Sequence, residues 1–333
     1  MSEQLLEIHD LSVEYRANRE IVKAVNGIDL SIQKGESLGL VGETGAGKTS
    51  TALSILRLLP KRTGFVTSGS ITLDGADIYS LSESEMRMLR GVGASMIFQD
   101  PMTSLNPVLE VGEQIAEVLI YHNIENKSKE QIESRVDELL EMVGIPKERK
   151  HEYPHQFSGG MKQRIGIAMA LACEPKLLIA DEPTTALDVT IQAQVLQMMD
   201  KLRKKFQTAV LLITHDLGVV ARMCQKVAVM YAGEIIESGT AQDIYKGDKH
   251  HPYTKGLFNS IPKLDSREQR LTAIPGMMPD PTNLPKGCSF CPRCSEKLPI
   301  CETTRPPLVT DGTHCIRCHL YAVGKEGNDE TTD

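Results

Sequence analysis

Several short stretches of the 333-residue chain hold residue types that can do chemistry at the spacing they show. Residues 42–49 read GETGAGKT, a G-x-x-x-x-G-K-[ST] pattern. Gly42, Gly45 and Gly47 let the backbone curl until successive N–H groups point at phosphate oxygens. Lys48 supplies a mobile point charge for β- and γ-phosphates, and Thr49 offers a hydroxyl to Mg²⁺. KLLIADEP (176–183) is an apolar run that ends in two adjacent carboxylates. Such a pair is costly at the mouth of a buried strand unless a cation or a reaction needs it. Asp181 suits Mg²⁺, and Glu182 suits a base that orients an attacking water. A third stretch, FSGGMKQRIGIAMALAC from residue 157, puts Ser158 where a helix cap belongs and Gly159-Gly160 where a backbone must be approached closely. That is another anion site by physics, although an ordinary capped helix has the same spacing. Finally, six of the eight cysteines crowd into residues 288–318.

These residues need a frame. SLGLV (37–41) reads as a buried strand running into the glycines, and KTSTALSILRLL reads as a helix stopped by Pro60. Further strands are predicted at 5–15, 28–33, 70–75, 95–99, 176–180, 209–214 and 226–231, with a helix from about 190 to 206. Strands alternating with helices imply a mostly parallel sheet. Between them, about 108–172 turns helical, with EVGEQIAEVLIYH and KEQIESRVDELLEMVG apolar at three-to-four spacing, which implies an inserted helical subdomain. After about 245 Pro and Gly become frequent, so a boundary is placed at 245–250; the polar residues 326–333 read as a disordered tail.

Composition narrows the class. Hydrophobic residues make up 41% and charged residues 24%, which excludes wholesale disorder. Aromatics are 4% with no Trp, and the net charge is −7, both of which disfavour nucleic acid as a partner. No apolar run reaches 18 residues, and the N-terminus lacks the basic start and apolar core of a signal peptide, so a cytosolic location is expected.

GETGAGKT, then SGGMKQR, then LLIADEPTTALD resembles the nucleotide-binding subunit of ATP-binding cassette (ABC) transporters, over about residues 4–245. FQDPMTSLNP (98–107) and KHHPYTKGLFNSIP (249–262) are similar to the oligopeptide and dipeptide importer branch. The resemblance implies an α/β P-loop ATPase: a RecA-like core with an antiparallel β subdomain, a helical subdomain at about 100–172, and a small Cys-rich extension at 246–325 after the cassette of 1–245. It implies that Tyr15 stacks on adenine, that the set Gly42, Thr44, Gly45, Ala46, Gly47, Lys48, Thr49 and Ser50 holds ATP, and that Mg²⁺ lies at Thr49, Gln99 and Asp181. Catalysis would fall to Glu182, Gln99 and His215, the last a switch histidine on the γ-phosphate; a lone histidine at a strand end is otherwise an ordinary structural residue. Ser158, Gly159, Gly160 and Asp188 would reach the nucleotide held by a second subunit. The implied activity is ATP hydrolysis that drives uptake of di- or oligopeptides, at the cytoplasmic face of a prokaryotic membrane. The implied partners are a second ATPase subunit, two membrane permease subunits and, indirectly, a solute-binding protein. Nickel or another small solute, and an ABC ATPase outside transport, are the alternatives.

The cysteines run Cys288-x2-Cys291-x2-Cys294-x6-Cys301-x13-Cys315-x2-Cys318. Cys291, Cys294, Cys315 and Cys318 approach a zinc-ribbon spacing, and thiolates can equally hold an iron–sulfur cluster. The resemblance picks Cys288, Cys294, Cys301 and Cys318 as ligands of a [4Fe–4S] cluster, with Cys291 and Cys315 as alternates and Zn²⁺ as the other metal.

Overall fold

The computed structural model describes residues 3–100, 104–122, 126–185, 187–260 and 274–322. The tail expected at 326–333 lies outside them, as do residues 101–103, Ala186 and residues 261–262 of the quoted motifs.

A small antiparallel sheet comes first. Strands β1 (Gln4–Ala17) and β2 (Glu20–Gln33) pair, and β4 (Gly64–Leu73) and β5 (Ala76–Asp77) extend them in the order β2-β1-β4-β5. In β1 Leu6 and Ile8, then Leu11 and Val13, alternate on the buried side, and Leu5 is buried as well. The parity changes because the register shifts between Ile8 and Leu11, where Asp10 takes a left-handed φ of 46°. β2 starts eight residues earlier than its apolar run suggested. It is the sheet's edge, so one face meets water and polar residues are tolerated there.

The second sheet has eight strands in the order β11-β12-β10-β9-β3-β8-β7-β6. Its parallel part is β9 (Lys226–Tyr231), β3 (Ser37–Val41), β8 (Ala209–Thr214), β7 (Leu177–Asp181) and β6 (Ala94–Ile97). β3, β7 and β8 are buried throughout, as strands covered on both faces must be. Helices α1 (Lys48–Ile55), α6 (Val189–Phe206) and α7 (Leu217–Met223) connect or flank them. α1 is one turn shorter than its apolar pattern: Arg57 turns left-handed, φ 50°, and its guanidinium donates to Ile78 O and Leu81 O. The helical block holds α3 (Val111–Tyr121), α4 (Lys129–Met142) and α5 (Gly159–Leu171); α2 (Glu83–Val92) precedes β6.

Two apolar clusters result. One fills the space between the sheets and α1, with Leu6, Ile28, Leu40 and Ile55; the other lies under the helical block, with Ile115, Leu139, Ile165 and Leu212. The sheet does not stop where the composition changes. β10 (Glu234–Thr240) pairs with β9 on one side and with β12 (His314–Arg317) on the other, and β11 (Leu308–Asp311) pairs with β12. Helices α8 (Ala241–Lys246), α9 (Pro252–Asn259) and α10 (His319–Ala322) lie between or beyond them. The strands on either side of 245–250 therefore share one sheet.

Candidate active site

Parallel strands carry their functional loops at their carboxyl ends. The register places those ends side by side: Val41 opposite Thr214, Ile213 opposite Asp181, and Ala180 opposite Ile97. The glycine loop, the carboxylate pair, His215 and Gln99 consequently leave the sheet at one rim.

The loop 42–47 is fitted as well as curled. Gly47 has φ 105°, and a side chain there would lie 2.3 Å from Ala24 O; one at Gly42 would lie 2.2 Å from Met230 O. Lys48 is buried, and its Nζ donates to Gly42 O at 2.7 Å and Glu43 O at 2.9 Å. Burial lowers its pKa, against the pull of the Glu182, Asp181 and Glu43 carboxylates. Thr49 bonds to Asp181, whose carboxyl is raised above the ordinary range by burial first, with Glu182 adding to the rise. A buried carboxylate beside a hydroxyl, with its ionised form disfavoured, fits a hard divalent cation such as Mg²⁺. Tyr15 Oη lies 3.2 Å from Ser50 Oγ, which ties the β1 aromatic to α1.

Glu182 is the centre of a second set. Its φ is 47°, a left-handed conformation that costs a non-glycine residue about 1–3 kcal/mol. Its amide donates to Ile213 O at 2.8 Å. Its carboxylate accepts from Gln99 Nε2 at 3.2 Å and from Thr185 Oγ1 at 2.9 Å, and lies 3.3 Å from His215 Nδ1. Asp216 caps α7 through the amides of Gly218 and Val219, and this fixes the chain just after His215.

Ser158 and Asp188 lie elsewhere in the contact network. Ser158 Oγ accepts from Met161 N as the cap of α5, and Asp188 accepts from Ile191 N as the cap of α6. Around Gly159 nothing lies within 4 Å of where a Cβ would be, whereas at Gly160 it would meet Ile191 at 2.6 Å.

With this geometry in place, the ABC transporter family model matches residues 25–185 and the model of the oligopeptide/dipeptide transporter C-terminal region matches 236–301. The oligopeptide transport ATP-binding protein AppD of Bacillus subtilis (strain 168) is 50% identical over 330 residues, 98% of this chain and 99% of that one. OppD of the same organism, also an oligopeptide transport ATP-binding protein, is 52% identical over 95% of this chain and 89% of its own. The chain belongs to the ABC transporter family, in its oligopeptide/dipeptide branch. Among solved structures, the dimeric ATP-binding cassette MJ0796 in a post-hydrolysis state bound to ADP and Pi superposes with TM-score 0.64 at 27% identity, over 71% of this chain and 98% of that one.

All six of those cysteines are free thiols. Cys288, Cys294, Cys301 and Cys318 influence one another electrostatically, and the amide of Cys288 donates to Cys301 O at 2.9 Å. Burial pushes the Cys288 thiol up to about 12 and Cys318 up to about 11. Burial first, and Cys301 next, raise the Cys291 thiol as well, while Cys315 sits on β12 with its Sγ 3.5 Å from Thr310 Oγ1. Among the described residues, no three thiols have sulfurs within 4.8 Å of one another.

Sequence reasoning missed three residues at the rim. Glu43 lies inside the motif but at a position the pattern leaves free; Tyr253 and Arg293 lie 210 and 250 residues away from it and bond to it. The HHPYT and CPRC stretches that hold them were visible, but nothing in their spacing pointed at the loop. A further contact holds the extension to the sheet: buried Glu237 Oε1 lies 2.8 Å from His250 Nδ1 and 2.9 Å from His314 Nε2, and Oε2 accepts from His251 N at 2.8 Å.

Proposed function

We propose that this chain, an ATPase subunit of a peptide transporter, hydrolyses ATP at the rim formed by loop 42–49, Asp181 and Glu182. The observation that carries this is the meeting of Gln99, Thr185 and His215 on the one carboxylate of Glu182, beside the Thr49–Asp181 pair. The loop amides, Lys48 and the N-terminus of α1 bind the phosphates; Tyr15 lies at the adenine end. Thr49, Asp181 and Gln99 would hold Mg²⁺, which would supply positive charge against that of the phosphates. Glu182 orients the attacking water and takes its proton, and His215 contacts the γ-phosphate.

Ser158, Gly159, Gly160 and Asp188 serve the nucleotide of a second subunit. What supports this is that Ser158 and Asp188 each cap the helix they begin, and that a solved relative of this fold is dimeric. Each bound nucleotide then joins two cassettes, and hydrolysis releases them, a population shift between closed and open pairs. Two permease subunits dock their cytoplasmic segments in the apolar cleft lined by Met96, Phe98, Val118, Gly166 and Met169, next to Gln99. Peptides delivered by a solute-binding protein are the cargo. At the extension, Cys288, Cys294, Cys301 and Cys318 hold a [4Fe–4S] cluster of structural or sensing use, with the cassette proper ending near residue 245.

Glu182→Gln keeps the hydrogen-bond geometry and removes the base. It is expected to bind MgATP, to lose at least about 100-fold in turnover, and to accumulate a nucleotide-bound dimer on gel filtration. Turnover at the wild-type rate would remove Glu182 from the role given to it.

A further inference from the structure

Arg293 lies in the chain between Cys291 and Cys294, is buried, and reaches the glycine loop with its guanidinium. Its Nη1 donates to Glu43 Oε2 at 2.8 Å and its Nη2 to Glu43 Oε1 at 3.2 Å, the parallel two-point pairing that gives arginine–carboxylate contacts their directional strength. The remaining donors are used too. Nε donates to Pro275 O at 2.9 Å, and Nη1 and Nη2 reach Tyr231 Oη and Ile274 O at 3.4 Å each. A lysine could not make this set, because it lacks the planar fork.

Glu43 is held from three directions. Its carboxylate meets Arg293, its amide donates to Tyr253 Oη at 2.9 Å, and its carbonyl accepts from Lys48 Nζ at 2.9 Å. Tyr253 belongs to α9 and packs on Tyr231 and Phe290, so two of the three holds come from beyond the cassette's last helix. Lys48 Nζ spends two of its three N–H donors on the Gly42 and Glu43 carbonyls, which leaves one for a phosphate oxygen. The side chain and the amide of residue 43, and with them the amides that follow in the turn, are held by the extension.

We infer that Arg293 is a positioning residue for nucleotide binding: through Glu43 it fixes the phosphate loop, so that order in the cysteine-rich segment sets the affinity of the cassette for ATP. This rests on the reading that ATP binds at loop 42–49. The order of the segment is transmitted directly, since Arg293 shares a single helical turn with Cys291 and its own amide donates to Phe290 O.

The test is a cycle in the assembled transporter: Arg293→Ala, Glu43→Gln, both together, and Lys48→Ala as a control on the loop itself. Arg293→Ala and Glu43→Gln are each expected to raise KM for ATP about tenfold, with a smaller effect on kcat, and the double variant is expected to equal either single one. A purely structural arginine would lower the denaturation midpoint and leave KM alone. A KM within twofold of wild type in both single variants, or effects that multiply in the double, overturns the inference. If Arg293→Ala does not fold, Glu43→Gln, which keeps the volume and removes the charge, still decides. Should Lys48→Ala bind ATP as tightly as wild type, the reading of the loop fails instead, and the two failures are told apart.

Discussion

Asp181 illustrates the cost that a functional residue imposes on the ligand-free protein. It is almost fully buried, and its carboxyl is raised by that burial despite the bond from Thr49. A folded-state value above the unfolded one means that the folded protein binds the proton more tightly, so its stability falls as pH rises through the ordinary aspartate range and beyond. At neutral pH the ionised group is a burden that a bound cation removes. Asp181→Asn is therefore expected to raise the denaturation midpoint of the nucleotide-free protein at pH 7 by about 2–4 °C while abolishing Mg²⁺-dependent turnover. An unchanged midpoint in scanning calorimetry would mean that the charge is already compensated.

At the scale of elements, the cap of α5 separates a structural glycine from one the single chain does not explain. A methyl group at Gly160 would press on Ile191 of α6, so Gly160→Ala disturbs the α5–α6 packing inside one molecule. At Gly159 the space is open, so Gly159→Ala is expected to leave the midpoint of the isolated chain within about 1 °C, yet to slow ATP turnover in the assembled pair. If turnover is untouched, no second subunit approaches that surface. The same scale shows how much of the rim is local. Gln99, Glu182 and His215 follow the neighbouring strands β6, β7 and β8, and that pairing brings Gln99 and His215 each within hydrogen-bonding distance of Glu182.

For the whole molecule, the extension is attached at the sheet through β12, at Glu237 through His250 and His314, and at the phosphate loop through Arg293. Its own elements are short: β11 and β12 have four residues each. So small a unit gains much from a staple, and the proposed cluster would be one. Because burial holds the Cys288 and Cys318 thiols protonated, loading a metal must release protons and weakens as pH falls. Iron and acid-labile sulfide are expected at about four atoms each per chain after purification without oxygen, and removal of the iron should open residues 274–322 to protease before the cassette. Zinc without iron would overturn the cluster assignment.

The sequence alone determined what is written in neighbouring residues. The glycine loop, the cap at Ser158 and the carboxylates at 181–182 are each a short motif whose chemistry depends on backbone next to it, and the alternation around them implied a parallel sheet. The choice of four cysteines among the six came from resemblance, and burial and mutual influence include Cys291 as well. What only the tertiary structure decided depends on partners far apart along the chain. The edge strand β2 begins in polar residues because one of its faces meets water. The sheet continues past residue 245 because β10 has a free side for β12. Arg293 reaches Glu43 across 250 residues of chain, and no local pattern encodes a contact whose two halves are made separately and meet only when the core closes.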